Sequence, residues 1–202
     1  GIDAGAFALA WRAGYQPAMA RVRSGDLGWT KIDDLHRMIL DEILPRFGLQ
    51  GLDEDARRRL NLAWHRLAPW PDAVDGLQRL KRRYTICTLS NGNLGLLANM
   101  AKRAGLPWDL ILSAEVFRHY KPDPEAYLGV ADVFGLRPEQ TMLVATHKDD
   151  LAGARACGLA TAFVERPLEC GAGAAKDDAR GHPFDLHATD FHDLADQLGC
   201  PR

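Results

Sequence analysis

The spacing of apolar residues divides the chain into two parts with different periodicities. In the first part, apolar residues recur every three or four positions, which predicts amphipathic helices. Pro17 should kink or break the first predicted helix, over 4–23, and Asp53 is a plausible N-cap for the third. Residues 1–68 are therefore predicted to be entirely helical. The positions that carry this pattern are Phe7, Trp11, Tyr15, Ile32, Leu35, Ile39, Ile43, Leu60, Ala63, Trp64 and Leu67.

The second part, residues 69–202, alternates short apolar runs with helical stretches. The apolar runs lack polar alternation, which is typical of parallel strands covered on both faces. They lie at 84–89, 110–113, 141–145 and 160–164, and the predicted helices lie at 72–82, 93–104, 124–134, 149–156 and 190–198. This order indicates an α/β fold with a parallel sheet. We expect the Gly- and Ala-rich stretch 165–183 to be a mobile loop.

Composition excludes several classes of protein. The chain has 202 residues and a net charge of −2, which gives it no general attraction to nucleic acid or to an anionic membrane. No apolar run approaches the roughly 20 residues of a membrane span. The four cysteines have neither zinc-finger spacing nor the density of a disulfide framework, so we predict a reducing, cytoplasmic setting. They are Cys87, Cys157, Cys170 and Cys200.

Ligands of open parallel sheets bind beyond the carboxyl ends of the strands, so the residues that follow each predicted strand are the candidates for chemistry. After the first strand, Ser90 and Asn91 offer a hydroxyl and an amide, and backbone N–H groups at a helix N-terminus add to an anion site. Helix capping by Asn93 and a turn at Gly92 explain the same residues equally well.

Charged residues follow the second and third strands. Pro122 keeps Lys121 out of helical geometry, and Asp123 could cap the next helix. The third strand leads into Thr146-His147-Lys148-Asp149-Asp150. Asp149 is the better cap, so we expect Asp150 to project toward Lys121 and the anion loop. His147 is either a proton carrier or a hydrogen-bonded bystander.

The ordered set of Ser90, Lys121 and the two aspartates resembles the haloacid dehalogenase superfamily. Residues 89–93 resemble its second motif, 121–124 its third and 146–150 its fourth. Three further stretches, at 10–12, 69–72 and 119–127, resemble the type II (S)-2-haloacid dehalogenases. The resemblance implies a Rossmann-like core at 69–202, lacking its first strand, and a helical cap at 1–68.

The resemblance also implies a catalytic aspartate in an Asp-x-(Phe/Tyr)-Gly-Thr motif, which this sequence does not contain. Asp3 is not followed by Gly-Thr, so we expect the nucleophile upstream of Gly1. The implied reaction is metal-independent, cofactor-free hydrolytic dehalogenation of short 2-haloalkanoic acids through an aspartyl ester.

Family positions assign further roles by resemblance. Ser90 and Asn91 would bind the substrate carboxylate, Lys121 would keep the nucleophile ionised, and Asp150 would position Lys121 or the hydrolytic water. Arg12 would reach from the cap for halide or carboxylate. Tyr127 matches a position near the site, where a packing role is an equal alternative.

Two other functions stay open. Magnesium phosphatases of the same superfamily usually carry Gly-Asp in the fourth motif, whereas this chain has Ala145-Thr146 and a lysine, Lys148, that would oppose a dication. The other alternative is a catalytically incomplete fragment that only binds. Apolar residues on the cap helices are compatible with a homodimer.

Overall fold

A computed structural model describes residues 1–169, 171, 177, 179 and 181–201, and it confirms an α/β fold. The α-helices are α1 (Ala4–Ala13), α2 (Tyr15–Arg23), α3 (Ile32–Ile43), α4 (Glu54–Asn61), α5 (Ala73–Lys81), α6 (Leu94–Ala104), α7 (Ala114–Phe117), α8 (Pro124–Val133), α9 (Lys148–Ala156) and α10 (Phe191–Gln197). The strands are β1 (Cys87–Ser90), β2 (Leu110–Ser113), β3 (Met142–Ala145), β4 (Ala160–Val164) and β5 (Leu186–Ala188). Short 3-10 helices span Leu44–Phe47, Leu62–Arg66 and Pro138–Gln140.

The first predicted helix is interrupted at Gly14 and not at Pro17. A Cβ at Gly14 would lie 2.4 Å from Cγ2 of Ile39, so only glycine allows α3 to pack this closely. Pro17 lies in the first turn of α2, where its missing N–H costs no helical hydrogen bond. The predicted N-cap at Asp53 is confirmed, because its carboxylate accepts a 2.7 Å hydrogen bond from the Ala56 N–H.

All strand pairs are parallel, in two sheets. β1 pairs with β2, and β3, β4 and β5 pair in that order. The strand predicted at 84–89 begins only at Cys87, and the sequence pattern missed both β5 and α7. Within the described residues, β1 and β3 each keep one edge without a strand partner. Much of the predicted loop at 165–183 lies outside the described residues, namely 170, 172–176, 178 and 180.

The helical part packs against the α/β part through a shared apolar cluster. Met19, Ile32 and Leu35 from the helices lie in one core cluster with Ala114 and Tyr120. A fully buried side chain of this size stabilises a fold by about 1.5–3 kcal/mol. The Tyr120 hydroxyl also donates a 2.6 Å hydrogen bond to a backbone carbonyl of the helical part. These contacts orient the helices over the region that follows β2. The division at residue 68 into two domains stays a prediction.

Two predictions from composition concern membrane spans and cysteines. Within the described ranges, no helix has the length and apolarity needed to cross a membrane. Cys87, Cys157 and Cys200 are free thiols, and Cys170 lies outside the described residues.

Candidate active site

A lysine, a carboxylate and a phenol meet beyond the ends of β2 and β3. The ammonium of Lys121, between α7 and α8, lies 2.5 Å from Oδ2 of Asp150 in the first turn of α9. The hydroxyl of Tyr127 donates to the other carboxylate oxygen at 2.8 Å. Tyr127 is fully buried, and burial together with the Asp150 charge raises the pKa of its phenol. The phenol therefore stays protonated and donates its hydrogen bond to Asp150. Because the side chain is fully buried, its hydroxyl orients that carboxylate and does not face an open cleft.

The loop after β1 is tied to the same lysine. The backbone N–H of Lys121 donates to Oδ1 of Asn91 at 2.8 Å, and Nδ2 of Asn91 lies 3.3 Å from the Lys121 carbonyl. Ser90 ends β1, and its hydroxyl oxygen accepts from the Gly92 N–H at 3.0 Å. The structure therefore brings together the predicted residues Ser90, Asn91, Lys121 and Asp150 at the carboxyl ends of β1, β2 and β3.

Arg12 lies beside Tyr15, an aromatic residue that the sequence predicted only as part of a helix face. The Arg12 guanidinium carbon lies 4.5 Å from the ring centroid of Tyr15. Burial raises the pKa of Tyr15, and this shift is partly offset by the Asn91 side chain and the Arg12 charge beside it. Tyr15 therefore lies beside Arg12, and Asn91 is near enough to affect its phenol. The signal that could have identified it is its separation of three residues from Arg12, although Gly14 separates the helices α1 and α2 that carry the two residues.

His147 lies apart from this cluster. Its Nε2 atom is 2.9 Å and 3.1 Å from the two carboxylate oxygens of Glu169, and its side chain is 52% exposed. Within the described residues, His147 makes no hydrogen bond or ion pair with Lys121, Asp150 or Tyr127. The structure therefore pairs His147 with the segment after β4 and leaves its predicted proton-transfer role unsupported by a contact.

The predicted cap of α9 is wrong. The helix begins at Lys148, so His147 is its N-cap and Asp149 lies within the first turn. The Lys148 N–H donates instead to Oδ2 of Asp177 at 3.0 Å, which satisfies a backbone donor from outside the helix. Asp150 still projects toward Lys121, as predicted.

The cluster suits the binding of an anion next to a fixed cation. The side chain of Lys121 is 15% exposed and that of Asp150 is 17% exposed. The ion pair is therefore mostly buried but still accessible to solvent. Serine hydroxyl, amide and backbone N–H groups adjoin the pair, and Arg12 adds a second cation above Tyr15. Within the described residues, no three His, Cys, Asp or Glu side chains form a group suited to a metal ion.

Comparison with known proteins adds a family likeness to this geometry. Residues 6–158 match the family model described as haloacid dehalogenase-like hydrolase. An (S)-2-haloacid dehalogenase of Pseudomonas sp. (strain CBS-3) is 35% identical over 130 residues, which cover 63% of this chain and 57% of that protein. The chain thus spans just over half the length of this relative.

Solved structures extend the likeness over nearly the whole chain. The structure of a defluorinating L-2-haloacid dehalogenase has a TM-score of 0.95 and 48% identity, covering 99% of this chain and 82% of that one. The L-2-haloacid dehalogenase from Xanthobacter autotrophicus, solved with chloropropionic acid covalently bound, has a TM-score of 0.79 and 25% identity. That match covers 94% of this chain and 84% of the other.

Proposed function

Since this chain belongs to the haloacid dehalogenase-like hydrolases, we propose that its site hydrolyses the carbon–halogen bond of short 2-haloalkanoic acids. The observation that carries the proposal is the position of Lys121. This residue binds the Asp150 carboxylate through its ammonium and the Asn91 amide through its backbone, so one lysine joins an anion-binding loop to a fixed carboxylate. A cation held in this way can keep a neighbouring carboxylate ionised and oriented.

The proposed reaction has two steps. A carboxylate oxygen of an aspartate attacks the carbon that bears the halogen, so a C–O bond forms as the C–X bond breaks and the halide leaves with the electron pair. Water then attacks the carbonyl carbon of the aspartyl ester, which releases the 2-hydroxy acid, regenerates the aspartate carboxylate and frees one proton. The proposed nucleophile is the aspartate of the Asp-x-(Phe/Tyr)-Gly-Thr motif that the family resemblance implies. The covalently bound chloropropionic acid in the Xanthobacter relative supports an ester intermediate.

The residues around Lys121 take separate roles in this proposal. Ser90 and Asn91 bind the substrate carboxylate through a hydroxyl, an amide and backbone N–H groups. Arg12 approaches the same anion from the helical part, and its planar guanidinium suits a carboxylate or a departing halide. Asp150 positions Lys121, and Tyr127 positions Asp150. These two are positioning residues.

Three further expectations belong to this proposal. His147 would carry the proton released by the hydrolytic water, and Glu169 would orient its ring. Residues 1–68 would act as a cap over the core at 69–202. A cytoplasmic location and a homodimer formed through the cap helices also stay predictions.

The partners of Asp150 support metal independence. A magnesium site in this position needs carboxylate oxygens that are free to bind the ion. Each oxygen of Asp150 already accepts one hydrogen bond, one from the Lys121 ammonium and the other from the Tyr127 hydroxyl, and the adjacent ammonium would oppose a dication. We therefore favour displacement at carbon over magnesium-dependent phosphoryl transfer, which is the principal alternative.

The test compares the two reactions in the full protein that contains this chain. Halide release from (S)-2-chloropropionate and phosphate release from a generic phosphomonoester are each measured with and without Mg²⁺. We expect halide release that is unchanged by a chelator. Magnesium-dependent phosphate release without halide release would refute the proposal, and the absence of both activities would favour a binding fragment.

A further inference from the structure

A polar bridge, buried at two of its four residues, joins the helical part to helix α6. One carboxylate oxygen of Asp33 accepts a hydrogen bond from Nδ2 of Asn93 at 2.9 Å, and the other lies 2.9 Å from Nε2 of His65. The Asp33 N–H donates to Oδ1 of Asn93 at 3.2 Å, and Nδ1 of His65 lies 2.9 Å from Nδ2 of Asn99. His65 is 7% exposed and Asn93 is 4% exposed. We call these four residues the Asp33 bridge.

The donors and acceptors of the Asp33 bridge match when the His65 ring is neutral. The amide of Asn99 is a donor, so it donates to Nδ1 of His65. The ring proton of neutral His65 then lies on Nε2 and is donated to Asp33. Each carboxylate oxygen therefore receives one hydrogen bond, and Asn93 uses both its amide nitrogen and its amide oxygen. A bridge with matched partners specifies one relative placement of the helices, because any displacement leaves a shielded polar group unpaired.

The side chain of Asn93 binds Asp33 and does not cap helix α6. It occupies the N-cap position of α6, where an asparagine side chain usually accepts from a backbone N–H of the first helical turn. Among the described residues of this turn, the Asn93 side chain makes no such bond, which corrects the capping interpretation. The first backbone N–H of the helix, at Leu94, donates to the Glu115 carboxylate at 2.6 Å instead. The side chain of Asn93 is therefore free to bind Asp33.

The two ends of the bridge lead to opposite sides of the candidate site. Asn93 lies two residues after Asn91. Asp33 lies one helical turn before His36, whose carbonyl accepts a 2.8 Å hydrogen bond from the Trp11 indole N–H. Arg12 directly follows Trp11. One path from Arg12 to Asn91, besides the contact of Arg12 with Tyr15, thus runs through α3 and the Asp33 bridge.

We propose that Asp33 is a positioning residue, which sets the approach of Arg12 to the anion loop at Ser90 and Asn91. This inference rests on the proposed function, because it assigns those three residues to the substrate carboxylate. Loss of the bridge weakens substrate binding more than it slows the chemical steps, since Lys121 and Asp150 do not take part in it.

The first test compares substitutions in the full protein. In Asp33→Asn, one acceptor oxygen becomes an amide nitrogen, so either the amide nitrogen of Asn93 or the Nε2–H of His65 would face a donor. We expect KM for (S)-2-chloropropionate to rise at least about tenfold while kcat changes less than about threefold. Combining Asp33→Asn with Asn93→Asp restores the match, because the amide introduced at position 33 would then donate to the carboxylate introduced at position 93. We expect KM to return to within about threefold of the parent value.

The matched control and a second readout separate this role from general stability. Glu54→Gln removes a carboxylate from the exposed Arg37–Glu54 ion pair on the same part of the chain, where Glu54 is 70% exposed, and KM should not change. Amide hydrogen exchange of residues 91–97 should accelerate at least about tenfold in Asp33→Asn and recover in the double variant. Asn93→Ala, which leaves Asp33 paired with His65, provides the same comparison if Asp33→Asn does not fold.

The outcomes distinguish the inference from the proposed function. A normal KM in Asp33→Asn, with or without faster exchange, overturns the positioning role, as does a double variant that recovers neither property. A parent protein that releases no halide refutes the proposed function and with it this role. Active parent protein with a normal KM in the variant refutes the inference alone.

Discussion

The buried hydroxyl of Tyr127 offers a direct test of how the candidate site is held together. Tyr127→Phe removes one oxygen atom and leaves the ring, so the change creates little cavity. The lost hydrogen bond is the 2.8 Å contact to Oδ1 of Asp150. That oxygen then becomes a shielded acceptor without its donor, while the other oxygen keeps the Lys121 ammonium.

The expected loss follows from the charge of the acceptor. A hydrogen bond to an ionised group contributes about 1.5–3 kcal/mol to stability. We therefore expect the free energy of unfolding to fall by about 1.5–3 kcal/mol, with an unchanged denaturant slope. For a chain of this size, the melting temperature should fall by about 3–12 °C. Urea unfolding followed by tryptophan fluorescence measures the first quantity, and calorimetry measures the second.

Tyr84→Phe is the matched control. Its hydroxyl contacts the Leu198 carbonyl at 3.3 Å, and the residue is 40% exposed, so water can replace the lost bond. The control should lose less than about 0.5 kcal/mol. Equal losses in the two variants would refute the reasoning, because they would show that the Asp150 contact has no special weight.

Three further predictions concern the site, the core and the helical part. Lys121→Met should lower kcat for halide release at least about a hundredfold, whereas Lys148→Met should leave it within about threefold. Gly76→Ala should lower the free energy of unfolding by about 1–3 kcal/mol, because the new Cβ would lie 2.4 Å from Cβ of Phe191. Burial lowers the pKa of His36 to about 4, so the unfolded chain takes up a proton below its ordinary value of about 6.5 while the folded chain stays neutral. Stability should therefore fall by up to about 3 kcal/mol as the pH drops from about 6.5 to 4, and His36→Phe should remove that part of the loss.

Each of these three predictions can be contradicted by a specific result. A Lys121→Met enzyme with nearly parental kcat would remove that lysine from the reaction. A Gly76→Ala protein as stable as the parent would show that α5 and α10 can separate without cost. Identical pH dependence of urea unfolding in the parent and in His36→Phe would show that this histidine is not the group that titrates.

The sequence best predicted those site residues that follow a strand. Ser90, Lys121 and Asp150 were identified because polar residues after parallel strands lie at one edge of a sheet. The structure brings them together through bonds that the rule does not specify, such as the two between Asn91 and Lys121. The strands predicted at 110–113, 141–145 and 160–164 were also placed well, since an apolar run without polar alternation is a clear signal of a buried strand.

Features that depend on long-range packing were missed. Gly14 interrupts the first helix because α3 approaches it, and no local pattern distinguishes it from an ordinary helical glycine. Tyr15 was predicted only as a helix-face aromatic, and the Asp33–Asn93 contact joins residues 60 positions apart. β5 has three residues, too few for a periodic pattern, so its assignment depends on pairing with β4. Each of these features depends on a partner that is distant in sequence.

The configuration of the product tests the central claim most directly. The full protein is incubated with (S)-2-chloropropionate in the presence of a chelator, and chloride and both enantiomers of lactate are quantified. Attack by a carboxylate at the carbon that bears chlorine, followed by hydrolysis at the aspartyl carbonyl, inverts that carbon once. We predict one chloride released for each (R)-lactate formed. Racemic lactate, (S)-lactate or no chloride release would contradict the account.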